Sequence, residues 1–232
     1  MHNRPGKFMA EFLGTFGLVL LSTGAVCADQ ALRSASQGSL GPLGIALAYG
    51  LAAGGMFAAL GHISGGHFNP AVTVGFWVTR KLGTFDTLAY WAAQLGGAAA
   101  ASYTLRYAVP YDIWGAVALG TPGVGSGLTR APAMLIEGLL AFFLVLVLFA
   151  AVTDQHLGGL AGPAIGFTVA AGAILGGPFT GGAMNPARAF GPALAAHHWT
   201  NQGVYWVGPL AGGMIAAALY DALFLRDTSR PA

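Results

Sequence analysis

The segment Gly61-His62-Ile63-Ser64-Gly65-Gly66-His67-Phe68-Asn69-Pro70-Ala71 returns as Gly177-Pro178-Phe179-Thr180-Gly181-Gly182-Ala183-Met184-Asn185-Pro186-Ala187, and the offset of 116 residues is half of the 232-residue chain. Weaker echoes flank it. Glu11-Phe12-Leu13 with Phe16 and Leu18-Val19-Leu20 reappears as Glu137-Gly138-Leu139 with Phe142 and Leu144-Val145-Leu146. Tyr90-Trp91, Leu95 and Gly97 reappear as Tyr205-Trp206, Leu210 and Gly212. A chain that repeats itself over such a period is two copies of one structural unit.

Hydropathy says what that unit is. A membrane-spanning helix needs about 20 mostly apolar residues. Six segments qualify, at 7–27, 40–60, 84–107, 132–153, 158–176 and 202–225. Arg80-Lys81-Leu82-Gly83, the stretch from Pro110 to Arg130, and Asp154-Gln155-His156 separate them. Two further apolar stretches, 69–78 and 185–196, are too short to span. Ten helical residues cover about 15 Å, half of a hydrocarbon core about 30 Å thick. Each follows a glycine-rich approach, and non-helical backbone survives at membrane depth only inside protein or along a water-filled cavity. The expected fold is an all-α integral membrane protein with six transmembrane helices and two re-entrant half-helices, forming one channel domain over 1–232. Its halves are 7–107 and 132–225. Each holds three spanning helices, an odd number, so the copies enter the membrane from opposite sides as an inverted repeat.

Composition agrees. Only 8% of residues are charged and 55% are hydrophobic, whereas a soluble domain carries about 25% charge. So little polar surface cannot keep a globule dissolved. The 37 glycines suit close helix packing in lipid. A net charge of +2 with scattered basic residues gives no nucleic-acid surface. Cys27 is the one cysteine, so no intrachain disulfide exists and it reads as a packing residue. The first apolar segment is long and holds Glu11, unlike a cleavable signal peptide. With the N-terminus inside, inner segments hold Arg4, Lys7, Arg80, Lys81, Arg226 and Arg230, against Arg33, Arg106 and Arg130 outside. That excess favours cytoplasmic termini, in a plasma or inner membrane.

The half-helix openings carry the chemistry. Proline fits the first turn of a helix, and asparagine is a favoured N-cap. Two half-helices meeting end to end bring their positive dipole ends together at mid-membrane. The amides of Asn69 and Asn185 can then both donate to one water oxygen, leaving that water unable to relay a proton. As caps alone, the two asparagines would lie buried at the midplane with nothing to bind. Arg188 directly follows the second motif, and an arginine in an apolar membrane segment is costly and usually functional; a structural salt bridge is its other reading. Glu11 and Glu137, at matching places, need buried partners. His62 and His67 read as loop-packing residues. No nucleophile–base pair and no metal-ligand spacing is present, so no enzyme, metal site or cofactor is expected.

Paired Asn69-Pro70-Ala71 and Asn185-Pro186-Ala187, in the contexts 64–73 and 184–192, resemble the twin signatures of the aquaporin, or major intrinsic protein, family, over residues 9–225. The resemblance implies a passive channel for water, assembled as a homotetramer in membrane lipid. It implies a ladder of pore-facing carbonyls from Gly65, Gly66, His67 and Phe68, and from Gly181, Gly182, Ala183 and Met184; turn formation would equally account for those glycines. It assigns Glu11 and Glu137 to bracing the loops. It places an outer selectivity filter at Tyr49, Ala173, Gly182 and Arg188. Water-selective members typically have Phe and His where this chain has Tyr49 and Ala173. With glycine at 182, the constriction is expected to be wide enough for small neutral solutes such as glycerol, urea, ammonia or hydrogen peroxide. Ala189 and the pair Tyr205-Trp206 differ from glycerol channels and favour water. A glycerol- or ammonia-type facilitator, an ion-coupled transporter and a non-conducting structural membrane protein are the competing readings. If Ala173 is what loosens the filter, Ala173→His cuts glycerol and urea flux in proteoliposomes more than water flux; equal losses would contradict this.

Overall fold

The computed structural model describes residues 3–153 and 155–225; Asp154, Arg226 and Arg230 lie outside the described residues. All regular structure among them is helical: α1 Arg4–Ser34, α2 Gly41–Ser64, α3 Pro70–Val78, α4 Thr84–Ala108, α5 Tyr111–Ala116, α6 Arg130–Thr153, α7 Ala161–Thr180, α8 Pro186–Ala196 and α9 Gln202–Tyr220. The six long helices are the six expected spans, and α3 and α8 are the half-helices. α5 falls in the stretch between Pro110 and Arg130, which the sequence marked only as a break.

Boundaries shift for local reasons. The first helix, expected at 7–27, runs to 31 residues. Asn3 caps its start by accepting from the Gly6 amide at 2.9 Å. The Asp29–Arg33 pair, 2.7 Å apart at i,i+4, supports its last turns. α2 and α7 run on to Ser64 and Thr180, where Gly65 (φ 95°) and Gly181 (φ 81°) end them in the left-handed conformation that glycine adopts without strain. α7 begins only at Ala161, because Gly158 (φ 44°, ψ −126°) is not helical.

Five of the long helices are apolar enough to cross a membrane on length and composition alone. The exception, α4, has 25 residues but carries polar ones on its inner side. Gln94, wholly buried, spends its amide on Glu11 and Thr73. The outward faces carry large exposed apolar side chains, among them Leu51, Leu88, Leu139, Phe167 and Ile215, as a lipid-facing surface requires.

Packing repeats with the sequence. α1 lies against α2 and α4, and α6 against α7 and α9. The halves then interlock: α2 packs on α7, and each half-helix packs on the last long helix of the other half, α3 on α9 and α8 on α4. Small residues permit this approach. Across the α2–α7 seam, a Cβ on Gly54 would sit 2.8 Å from the Gly162 carbonyl oxygen, and one on Gly162 3.0 Å from that of Gly54. Between α6 and α9 the contact is closer still, since a Cβ on Gly212 would overlap the carbonyl of Gly138. Gly212→Val should therefore lower the melting temperature in detergent or abolish a monodisperse protein. Gly55→Ala, with open space at its Cβ, should leave both unchanged. Similar behaviour of the two variants would contradict this packing.

Candidate functional site: a pore at the crossing of two half-helices

Asn69 and Asn185 cap α3 and α8. The Asn69 side-chain oxygen accepts from the Ala71 amide at 2.8 Å; that of Asn185 accepts from Ala187 at 2.9 Å and Arg188 at 3.3 Å. Their amide nitrogens cross over. Asn69 Nδ2 donates to the Met184 carbonyl at 3.0 Å, and Asn185 Nδ2 to the Phe68 carbonyl at 2.9 Å. A side-chain amide has two N–H groups, so each asparagine clasps the opposite loop with one and keeps one. The capping role and a donor role toward a pore are thus compatible in the same side chain.

The loops before the caps are held by the two carboxylates. Glu11, fully buried, accepts from Ser64 Oγ (2.6 Å), the amides of His67 (3.0 Å) and Phe68 (2.7 Å), and Gln94 Nε2 (2.7 Å). Glu137, equally buried, accepts from Thr180 Oγ1 (2.6 Å) and the amides of Ala183 (2.9 Å) and Met184 (2.6 Å). Apart from Gln94, the partners correspond at the repeat offset. Tyr90 and Tyr205 complete the match by donating to the carbonyls of Ser64 and Thr180 at 2.7 and 2.9 Å. Phe68 (φ 48°) and Met184 (φ 55°) are left-handed, which costs a non-glycine residue free energy and persists only where the surroundings impose it. Here the carboxylates and the crossed amides impose it.

Of the eight carbonyls expected to face the pore, three are engaged by protein donors. Those of Phe68 and Met184 take the asparagine amides, and that of Ala183 accepts from the Tyr49 hydroxyl at 2.6 Å. Among the described residues, the carbonyls of Gly65, Gly66, His67, Gly181 and Gly182 have no such donor.

Two cavities meet at Tyr49, which lines both. A vestibule of about 430 Å³ is lined by Tyr49, Ala173 and Arg188 together with Gly120, Thr121 and Gly181. A narrow cavity of about 20 Å³ is lined by both asparagines with Tyr49, His67, Phe68 and Val72. The second has room for about one water, the scale of a single file. Three of the four expected filter residues meet in the vestibule. Gly182 lines neither cavity. At φ 57° its missing side chain would point at α7, 3.1 Å from Ala173 Cα and 3.2 Å from the Gly172 carbonyl oxygen. Gly182 lets the loop approach α7, and Ala173 alone carries the expected widening.

Arg188 is 4% exposed. Its Nη1 donates to the Gly120 carbonyl at 2.8 Å, its Cζ lies 5.7 Å from the Tyr49 ring centroid, and its Nε finds no acceptor in the protein. The ion pairs among the described residues do not include it. Gly120 had no signal in the sequence, because only the folded path of 109–129 brings it over Arg188. His67 packs as expected, with Nδ1 3.1 Å from Thr73 Oγ1 and its ring 4.5 Å from that of Phe76. Among the described residues no cluster of His, Cys, Asp and Glu could hold a metal ion.

Six long helices, two opposed half-helices and a narrow passage at their junction define a membrane channel. Comparison with known sequences gives its family. The major intrinsic protein profile matches residues 2–220. The chain is 42% identical to the lens fiber major intrinsic protein of Gallus gallus over 217 residues, covering 92% of this chain and 79% of that one. It is 39% identical to aquaporin TIP2-1 of Arabidopsis thaliana over 222 residues, covering 94% and 87%. The X-ray structure of the aquaglyceroporin from Plasmodium falciparum shares the fold, with a TM-score of 0.80 over 98% of this chain and 100% of that one, at 24% identity. The chain belongs to the major intrinsic protein family. It is an integral membrane protein, and its family is one of transport channels, not enzymes.

If the carboxylates hold the loops, Glu137→Ala leaves the amides of Ala183 and Met184 without acceptors, at about 1–3 kcal/mol each. The variant should melt well below wild type in detergent, and an unchanged melting temperature would contradict the bracing role.

Proposed function

We propose that this chain is a passive water channel that excludes protons and ions and also admits small neutral solutes. The crossed asparagine amides carry the reading. Each keeps one N–H at the narrow cavity, where the positive ends of α3 and α8 converge. A water accepting from both points its hydrogens away along the pore, which breaks a proton relay. The same dipole ends disfavour cations. The free carbonyls before each cap replace the hydrogen bonds a water gives up on entering, and Arg188 offers donors and a positive charge at the outer end. The aquaporin and aquaglyceroporin names of its relatives support this class of permeant. The solute component rests on the small side chain of Ala173 in the vestibule wall.

On this reading the chain acts as one channel domain, each subunit of a homotetramer holding its own pore. Both termini are cytoplasmic and the membrane is the plasma or inner membrane.

Stopped-flow shrinkage of proteoliposomes tests it. Wild type should pass water far faster than protein-free vesicles and with a low activation energy, and should add measurable glycerol and urea flux. Arg188→Val should keep the water flux while solute flux rises relative to it. Folded protein with water flux equal to that of empty vesicles would overturn the proposal.

A further inference from the structure

The internal repeat supplies a control for every interaction near the pore. Contacts present in both halves are what the fold needs to hold a re-entrant loop; a contact present in one half is free to serve something else. The bond from the Tyr49 hydroxyl to the Ala183 carbonyl, 2.6 Å long, belongs to the second kind. At the repeat offset Tyr49 corresponds to Ile165 and Ala183 to His67. Ile165 has no donor, and the His67 carbonyl accepts from no side chain among the described residues. Yet the two loops share one backbone shape: Gly65, Gly66 and Phe68 at φ 95°, 63° and 48°, against 81°, 57° and 55° for Gly181, Gly182 and Met184. The first loop reaches that shape without the extra bond, so the second does not need it for folding.

Position adds to this. Tyr49 is 4% exposed and, among the described residues, is the one that lines both the vestibule and the narrow cavity. Its ring lies beneath the Arg188 guanidinium, and Arg188 Nε has no protein acceptor. A permeant moving from one cavity to the other therefore passes Tyr49.

We infer that the Tyr49 hydroxyl limits water permeation by occupying the Ala183 carbonyl, so that permeants meet a phenol oxygen beside Arg188 in place of a backbone carbonyl. A phenol oxygen that is already donating is a weaker acceptor than an amide carbonyl. Water, which must replace the bonds of both its hydrogens in single file, loses an acceptor in the exchange. The hydroxyl thus lowers the permeability of the channel to water. This inference rests on the proposed channel function.

Tyr49→Phe tests it, because it removes the hydroxyl while the ring stays under Arg188 and the loop keeps its other bonds. Water permeability per channel, measured by stopped-flow in proteoliposomes with known protein content, should rise about twofold or more, the scale of one net hydrogen bond at the barrier. The melting temperature should stay close to wild type. Conducting wild type with water permeability unchanged in Tyr49→Phe would overturn the inference and leave the channel reading intact. Lower water permeability in Tyr49→Phe would also overturn it, since the hydroxyl would then be an aid to water. Non-conducting wild type would instead overturn the channel reading itself. A Tyr49→Phe melting temperature well below wild type would overturn the inference too, since the bond would then be needed to hold the second loop.

Discussion

Backbone that is not helical cannot sit in the middle of a membrane unless its polar groups are paired, and each unpaired group costs several kcal/mol there. Two loops of this protein do sit there. The pairing comes from two buried carboxylates, Glu11 and Glu137, each gathering two consecutive amides and a hydroxyl from the loop it faces. Once the amides of Phe68 and Met184 are fixed, the left-handed turns at those residues follow, and the next residue of each loop is delivered as the cap of a half-helix. Only then can Asn69 and Asn185 reach across to the opposite loop. The pore geometry is downstream of an acid placed about two turns inside the first helix of each half.

The inverted repeat separates scaffold from specialisation. Carboxylate, hydroxyl, tyrosine, glycine pair and capping asparagine occur in both halves. The residues that distinguish the vestibule end do not: Arg188 corresponds to Val72 and Tyr49 to Ile165. The opposite end has its own unshared group, in which Gln94 links Glu11 to Thr73 and Thr73 meets His67; the counterparts Ala183, Ala189 and Pro209 cannot form it. A symmetric frame thereby carries a passage whose two ends differ in charge and in hydrogen-bonding character.

Much of this was legible in the sequence because the repeat is long and its punctuation is chemical. Asn-Pro at 69–70 and 185–186 states a cap and a first turn, and the acids at 11 and 137 stand out in apolar runs. Other features depend on where backbone points, which no spacing encodes. Gly182 reads as an open wall in sequence, yet its φ of 57° turns the missing side chain toward α7. α4 looks less apolar than its neighbours because its polar residues face inward to Glu11 and Thr73. The Tyr49–Ala183 bond joins residues 134 apart, and the Gly120 acceptor for Arg188 lies in a connection that has no periodicity to read.

The central claim is that water crosses where the two caps meet and protons do not. Proteoliposomes loaded with a pH-sensitive dye allow water shrinkage and proton entry to be followed in one preparation at several protein densities. The account predicts that water flux grows in proportion to channel density while proton flux stays at the level of protein-free vesicles. Proton flux that climbs in step with water flux would contradict it, since the waters at Asn69 and Asn185 would then form an unbroken relay.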